Sequence, residues 1–219
     1  MTLLLAFDTA TPQVGVALYD GHDVVAELVS ERSMKHGEQL APLIASALDQ
    51  VGATRQDLTG IAVGAGPGPF TGLRVGLVTA RTLGFVLRIP VRAVCTLDVV
   101  AVEVAEEQRG GLGTSGAEPA FAVATDARRK EVYLAVYDAT GARLTGPVVE
   151  RPATVATRLP VAGEGAVLYP DSFPNPLGPT RPSAGWLARA VAQDRAELLE
   201  PEPLYLRRPD AEARYGARP

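Results

Sequence analysis

Two apolar runs in this chain each stop at an aspartate, and each leads into a second strand of the same design. Leu3 to Phe7 is continuously hydrophobic and ends at Asp8, while Ala120 to Thr125 repeats the pattern and ends at Asp126. Such a run predicts a strand buried on both faces, with a carboxylate at its C-terminal edge. The second strand is Val14 to Tyr19 in the first copy and Glu131 to Tyr137 in the second. These close on Val-Ala-Leu-Tyr-Asp and Leu-Ala-Val-Tyr-Asp, and Asp8 lies twelve residues before Asp20 as Asp126 does before Asp138. Turns at Asp20-Gly21 and Asp138-Ala-Thr-Gly141 come next, and Val24 to Val29 predicts a third strand in the first copy. Matching order, spacing and strand ending indicate an internal duplication.

Between the copies the pattern turns helical. Leu40, Leu43, Ile44, Ala47, Leu48 and Val51 recur at three- and four-residue steps, with Gly52 as the stop. Ile61 to Val63 and Val91 to Val94 predict short buried strands, Thr71 to about Leu87 a second helix, and Thr96 the cap of a third running to about Gln108. Gly110 to Pro119 reads as a linker, and Ser183 to Gln193 as a late helix. The expected fold is α/β: two duplicated lobes of mixed sheet flanked by helices, facing each other across a cleft. The expected boundaries are 1–108 for the first lobe, 109–204 for the second, and 205–219 for a segment that returns to the first.

The composition excludes several kinds of chemistry. A single cysteine, Cys95, cannot form an internal disulfide or a cysteine-based zinc site. With only His22 and His36 as imidazoles, no metal site is expected. A net charge of −4 argues against nucleic-acid binding driven by overall charge. The first residues lack a basic leader and meet Asp8 early, and no 18-residue apolar run occurs, so a cytoplasmic protein is expected.

Gly64-Ala-Gly-Pro-Gly-Pro69 lies between a strand and a helix, where a glycine loop can offer amides to an anion. It lacks the Gly-Lys-Ser/Thr of a Walker loop, and Pro69 occupies the place of the last glycine of a dinucleotide fingerprint. A close strand-to-helix turn is the simpler reading. Two facing lobes whose first strands end in Asp resemble the actin, hexokinase and chaperone ATPases, an RNase H-like plan. In those proteins a glycine comes one residue after the Asp, whereas this chain has Asp8-Thr9-Ala10 and Asp126-Ala127-Arg128.

Two helices carry small residues at regular spacing: Gly37, Ala41 and Ala45 on one, and Gly72, Gly76, Ala80 and Gly84 on the other. The second also shows Val75, Val78, Phe85 and Val86 on further sides. A helix apolar on more than one face is buried on more than one face. A docking surface is therefore expected on His36, Gly37, Ala41, Ala45, Gly72, Val75, Gly76, Val78 and Ala80. Packing of both helices against their own sheet is the competing reading.

Several stretches resemble the bacterial TsaB (YeaZ) family. They are Leu4-Leu-Ala-Phe-Asp-Thr-Ala-Thr11, Lys35-His-Gly-Glu-Gln-Leu40 with Pro42-Leu-Ile44, Gly66-Pro-Gly-Pro-Phe-Thr-Gly-Leu-Arg-Val-Gly76, and Pro203-Leu-Tyr-Leu-Arg207. Pro69 departs from the family's usual serine and is expected to alter only the helix start. The resemblance implies a non-catalytic partner in making threonylcarbamoyladenosine in tRNA, which binds and activates a TsaD-type catalytic subunit. It also implies a TsaE-type P-loop ATPase as third member, a homodimer when alone, and contact with tRNA only through the complex. No cofactor is expected on this chain alone, and a nucleotide at a subunit junction is left open. TsaD-like proteins carry a metal-binding His pair where this chain has Thr96 and Val100, so the resemblance implies no metal.

Two other functions compete. An ATP-dependent kinase of the same fold would use Asp8 toward Mg²⁺ and phosphate and Asp126 as base. A peptidase would need a nucleophile elbow or a metal pair, and Cys95 has no histidine near it in sequence. The C-terminal Arg207, Arg208, Arg214 and Arg218 are candidates for tRNA phosphates, with a solvated tail as the plainer account.

Overall fold

A computed structural model of the protein describes residues 2–30, 35–109 and 120–207. The first sheet contains β1 (Leu4–Asp8), β2 (Gly15–Tyr19), β3 (Val24–Val29), β4 (Gly60–Gly64) and β5 (Val91–Val94), in the order β3-β2-β1-β4-β5. β2 runs antiparallel to both β1 and β3, and β4 runs parallel to β1 and β5. Alternation along β1 sends Leu5 and Phe7 to one face and Leu4 and Ala6 to the other. The first face is covered by α1 (His36–Gln50) and α2 (Phe70–Leu87), through Leu40, Ile44, Leu73 and Leu77. Fully burying a side chain such as Phe7 or Leu5 contributes about 1.5–3 kcal/mol, so this interface dominates the lobe.

The second sheet repeats the plan. β6 (Phe121–Asp126), β7 (Val132–Tyr137), β8 (Arg143–Glu150) and β9 (Val161–Ala162) are ordered β8-β7-β6-β9, with β6 and β9 parallel and the others antiparallel. This reproduces β3-β2-β1-β4 strand for strand, as the duplication requires. α3 (Thr96–Glu107) covers the face bearing Phe121, Val123 and Tyr137, and α4 (Glu164–Leu168) covers the face bearing Ala122 and Ala124. The turn aspartates also behave alike. Asp20 accepts from the amides of His22 and Asp23, and Asp138 from those of Thr140 and Ala142.

Two sequence expectations need adjustment. The late helix, α5 (Ala184–Ala192), packs on the first sheet through Leu187 and Ala188, so the boundary at 204 does not separate the lobes. Its anchor is Glu27 on β3, whose Oε1 accepts from Ser183 Oγ at 2.8 Å and from the Gly185 amide at 3.0 Å. Thr96 is not a cap. Cys95 holds the N-cap position of α3, and the Thr96 hydroxyl is engaged elsewhere. Among the described residues α2 alone is long and apolar enough to cross a membrane by length and composition, yet Arg74 and Arg81 interrupt it and its Leu73 and Leu77 side is built into the first lobe. The expected linker at 110–119 lies outside the described residues.

Candidate functional site

β1 delivers Asp8 to the seam between the lobes, where it is only 4% exposed. Its Oδ1 accepts from the Ala10 amide at 2.6 Å and its Oδ2 from Thr96 Oγ1 at 2.8 Å. Thr96 Oγ1 accepts in turn from the Gly66 amide at 3.2 Å, and the Thr96 amide donates to the Gly66 carbonyl at 2.7 Å. Gly64 lacks a side chain because a Cβ there would overlap the Asp8 carboxylate. Burial pushes the Asp8 pKa up, opposed by the Ala10 and Thr96 hydrogen bonds and by the charge of His36. Both carboxylate oxygens are thus engaged with this chain's own loops.

The residues after Asp8 are held as firmly. Thr9 Oγ1 donates to the Gly72 carbonyl at 2.8 Å, and His36 Nε2 meets the Thr11 carbonyl at 2.7 Å. A Cβ on Gly72 or Gly76 would overlap Thr9, and one on Gly84 would overlap Val91. The small residues of α2 therefore let its own lobe approach. His36, Gly72, Gly76 and Ala80 are all buried in that lobe, which corrects their expected place on a docking face. The remaining expected residues lie outward: Gly37, Ala41, Ala45 and Val78 are exposed and Val75 is half-buried. Beside them Phe85 and Val86 are 85% and 66% exposed, and Phe85 lies two turns beyond Val78 on the same side of α2.

Asp126 sits in the matching position and is treated differently. Its Oδ1 accepts from the Arg128 amide at 2.8 Å, and the Arg128 guanidinium pairs with its Oδ2 at 3.2 Å. Between the two aspartate loops Pro67 and Pro69 face Arg128 and Glu164, leaving a cavity of about 20 Å³. Arg181 closes it by pairing with Glu164 at 3.8 Å and donating to Gln13. That volume suits a single water, whereas small-molecule sites run from roughly 300 to 1,000 Å³.

Other candidates resolve individually. Cys95 is buried, and burial together with the Asp98 charge pushes its thiol up to about 12, so it is no nucleophile. Val100 is fully buried in the α3 core, and Thr96 serves Asp8. Among the described residues no three His, Cys, Asp or Glu side chains converge. His22 lies exposed in its turn. Arg207 donates to the Ala127 carbonyl at 2.9 Å and pairs with Glu131, while Arg208, Arg214 and Arg218 lie outside the described residues.

Fold and site together define a duplicated α/β protein of actin-like plan, its first aspartate sealed and its cleft closed. The family model described as TsaD: tRNA N6-adenosine threonylcarbamoyltransferase matches residues 24–173. An uncharacterized protein of Mycobacterium tuberculosis is 40% identical over 216 residues, covering 96% of this chain and 94% of that protein. The tRNA threonylcarbamoyladenosine biosynthesis protein TsaB of Bacillus subtilis is 35% identical over 135 residues, 61% of this chain and 54% of that protein. The solved structure of YeaZ from Pseudomonas aeruginosa superposes with a TM-score of 0.76 at 30% identity, covering 94% of this chain and all of that one. The chain belongs to this TsaD-type family and, within it, to the TsaB (YeaZ) branch.

Proposed function

We propose that this chain is a non-catalytic subunit in tRNA threonylcarbamoyladenosine biosynthesis, which binds and activates a TsaD-type catalytic subunit. The role in that pathway is supported by the TsaB relatives and the YeaZ structure. The observation that carries the partner role is the outward face of α1 and α2. Val78, Phe85 and Val86 are 61%, 85% and 66% exposed on α2. The small Gly37, Ala41 and Ala45 flank this face on α1, and Gly37 approaches Val75 across the helix pair. An exposed patch of this kind marks a protein interaction site. The same face serves a homodimer when the chain is alone, and a TsaE-type ATPase joins the assembled pair in the cytoplasm. Asp8 and the closed cleft support the non-catalytic reading, because neither offers a group to a substrate.

The test is co-elution with a TsaD-type protein. Phe85→Glu with Val78→Arg abolishes association while the melting temperature stays at the wild-type value, because both side chains are already in water. Unchanged co-elution of that variant excludes this face.

A further inference from the structure

Where the two lobes meet, α3 and α5 pack against each other, and the seam between them contains an acid. Val99 of α3 is buried in the cluster that holds Leu187 and Ala188 of α5, and Glu103 lies one turn further on the same side of α3. The Oε2 of Glu103 is buried and has no hydrogen-bond partner among the described residues. A hydrogen bond from the Trp186 indole of α5 reaches the carboxyl, and an indole N–H can only donate. The charges that act on Glu103 are both negative, Glu107 on its own helix and Glu27 on β3.

The groups around Glu103 also hold the first turn of α5. Glu27 caps that turn through Ser183 and the Gly185 amide, and a Cβ on Gly185 would overlap the Glu27 carboxylate. Arg189 lies over the Trp186 ring, 5.4 Å from its centroid, and pairs with Asp23 of the β2–β3 turn. The far end of the helix is tied separately, by Arg195 to Glu106 at 2.7 Å. An ionised Glu103 would leave a charged oxygen buried, unpaired and beside Glu27 and Glu107. Burying an unpaired charge costs far more than burying a neutral polar group. Burial first, then Glu107 and Glu27, accordingly push the Glu103 pKa up to about 7.

We infer that Glu103 is a proton-operated latch between the lobes: its neutral carboxyl seats the first turn of α5 against α3, and its ionised form draws water into the seam and loosens that turn. Protonation removes the conflict with Glu27 and Glu107 and leaves an acceptor for the Trp186 indole. Ionisation gains solvation only if the seam opens, because Oε2 is sealed from water. The loosening falls on the first turn, since the Arg195–Glu106 pair holds the other end. The closed seam binds this proton more tightly than an open one. Loosening therefore grows as pH rises from 4.5 to about 7 and levels off above it. The latch is internal to the fold and works whether or not α1 and α2 dock a partner.

The experiment is a pH titration of the full chain read by Trp186, its only tryptophan. Its emission shifts to the red with a midpoint near 7. Once base catalysis of exchange is divided out, α5 amides such as that of Leu187 exchange roughly tenfold faster at about pH 8 than at about pH 6. Glu103→Gln keeps an acceptor for the indole and abolishes both changes. Glu107→Gln, at an exposed position, moves the midpoint to lower pH at low salt, because a charge that favours the proton is gone. His22→Gln, beside Asp23, leaves the midpoint in place, and His36 sits on α1 across the first sheet from α5. The inference is overturned if emission and exchange stay flat from about pH 5 to about pH 9, or if the transition survives Glu103→Gln. It is also overturned if the midpoint follows His22→Gln or is unmoved by Glu107→Gln.

Discussion

The loop after Asp8 and the loop after Asp126 stem from one repeated pattern, and the chain has taken them in opposite directions. In the first lobe the aspartate and the residues after it find partners within the protein: Ala10, Thr96 and Gly66 around Asp8, Gly72 at Thr9, and His36 at Thr11. In the second, the turn carries Arg128, Arg129 and Lys130 into solvent in left-handed conformations. A duplicated framework thus supports one loop as an internal brace and the other as a charged surface. Neither retains the glycine that would let it bend cheaply around a phosphate at the strand end.

The widest separation between the two loops is expected on removing each carboxylate. Asp8→Ala leaves the Thr96 hydroxyl and the Ala10 amide buried without an acceptor and costs about 3 kcal/mol, by urea denaturation. Asp126→Ala costs about 0.5 kcal/mol, because its partners reach water. Equal costs would break the comparison. Thr96→Val should destabilise by about 1–2 kcal/mol, since it strips one donor from a buried carboxylate. Replacing Arg128, Arg129 and Lys130 singly by glycine should instead stabilise by roughly 0.5–1 kcal/mol each, because glycine takes left-handed angles freely. Melting curves check this.

The smallest effect is on pH dependence at the helices joining the lobes. Glu103 on α3 is pushed up to about 7, by burial first and then by the charges of Glu107 and Glu27, while a hydrogen bond with Trp186 lowers it. A carboxyl whose folded pKa exceeds its unfolded value of 4.5 binds its proton more readily in the native state. Its contribution is present below about 4.5 and fades as pH rises through about 7. Glu103→Gln should flatten stability against pH across that window, and an unchanged slope would show that Glu103 is already solvated.

Much of the fold is legible in the chain. The opening hairpin of each sheet is legible from the apolar runs ending in Asp8 and Asp126, because period and turn chemistry are local signals, whereas β8, β9 and the order of the strands come only from the structure. The direction of α2 is not legible either. Gly72 and Gly76 mark a close approach, but only tertiary structure says that the approaching group is Thr9 of the same lobe. The return of α5 to the first sheet depends on Glu27, 156 residues before Ser183, and no local pattern encodes that pairing.

The most direct measurement is tRNA threonylcarbamoylation by a TsaD-type subunit and its ATPase supplemented with the Asp8→Asn chain. Asparagine keeps the shape of the side chain and an acceptor for the Ala10 amide, so the loop should stay in place. If Asp8 is a brace and the chain acts through its surfaces, modification proceeds at the wild-type rate. Loss of modification by a folded Asp8→Asn chain that still binds its partner would contradict the account.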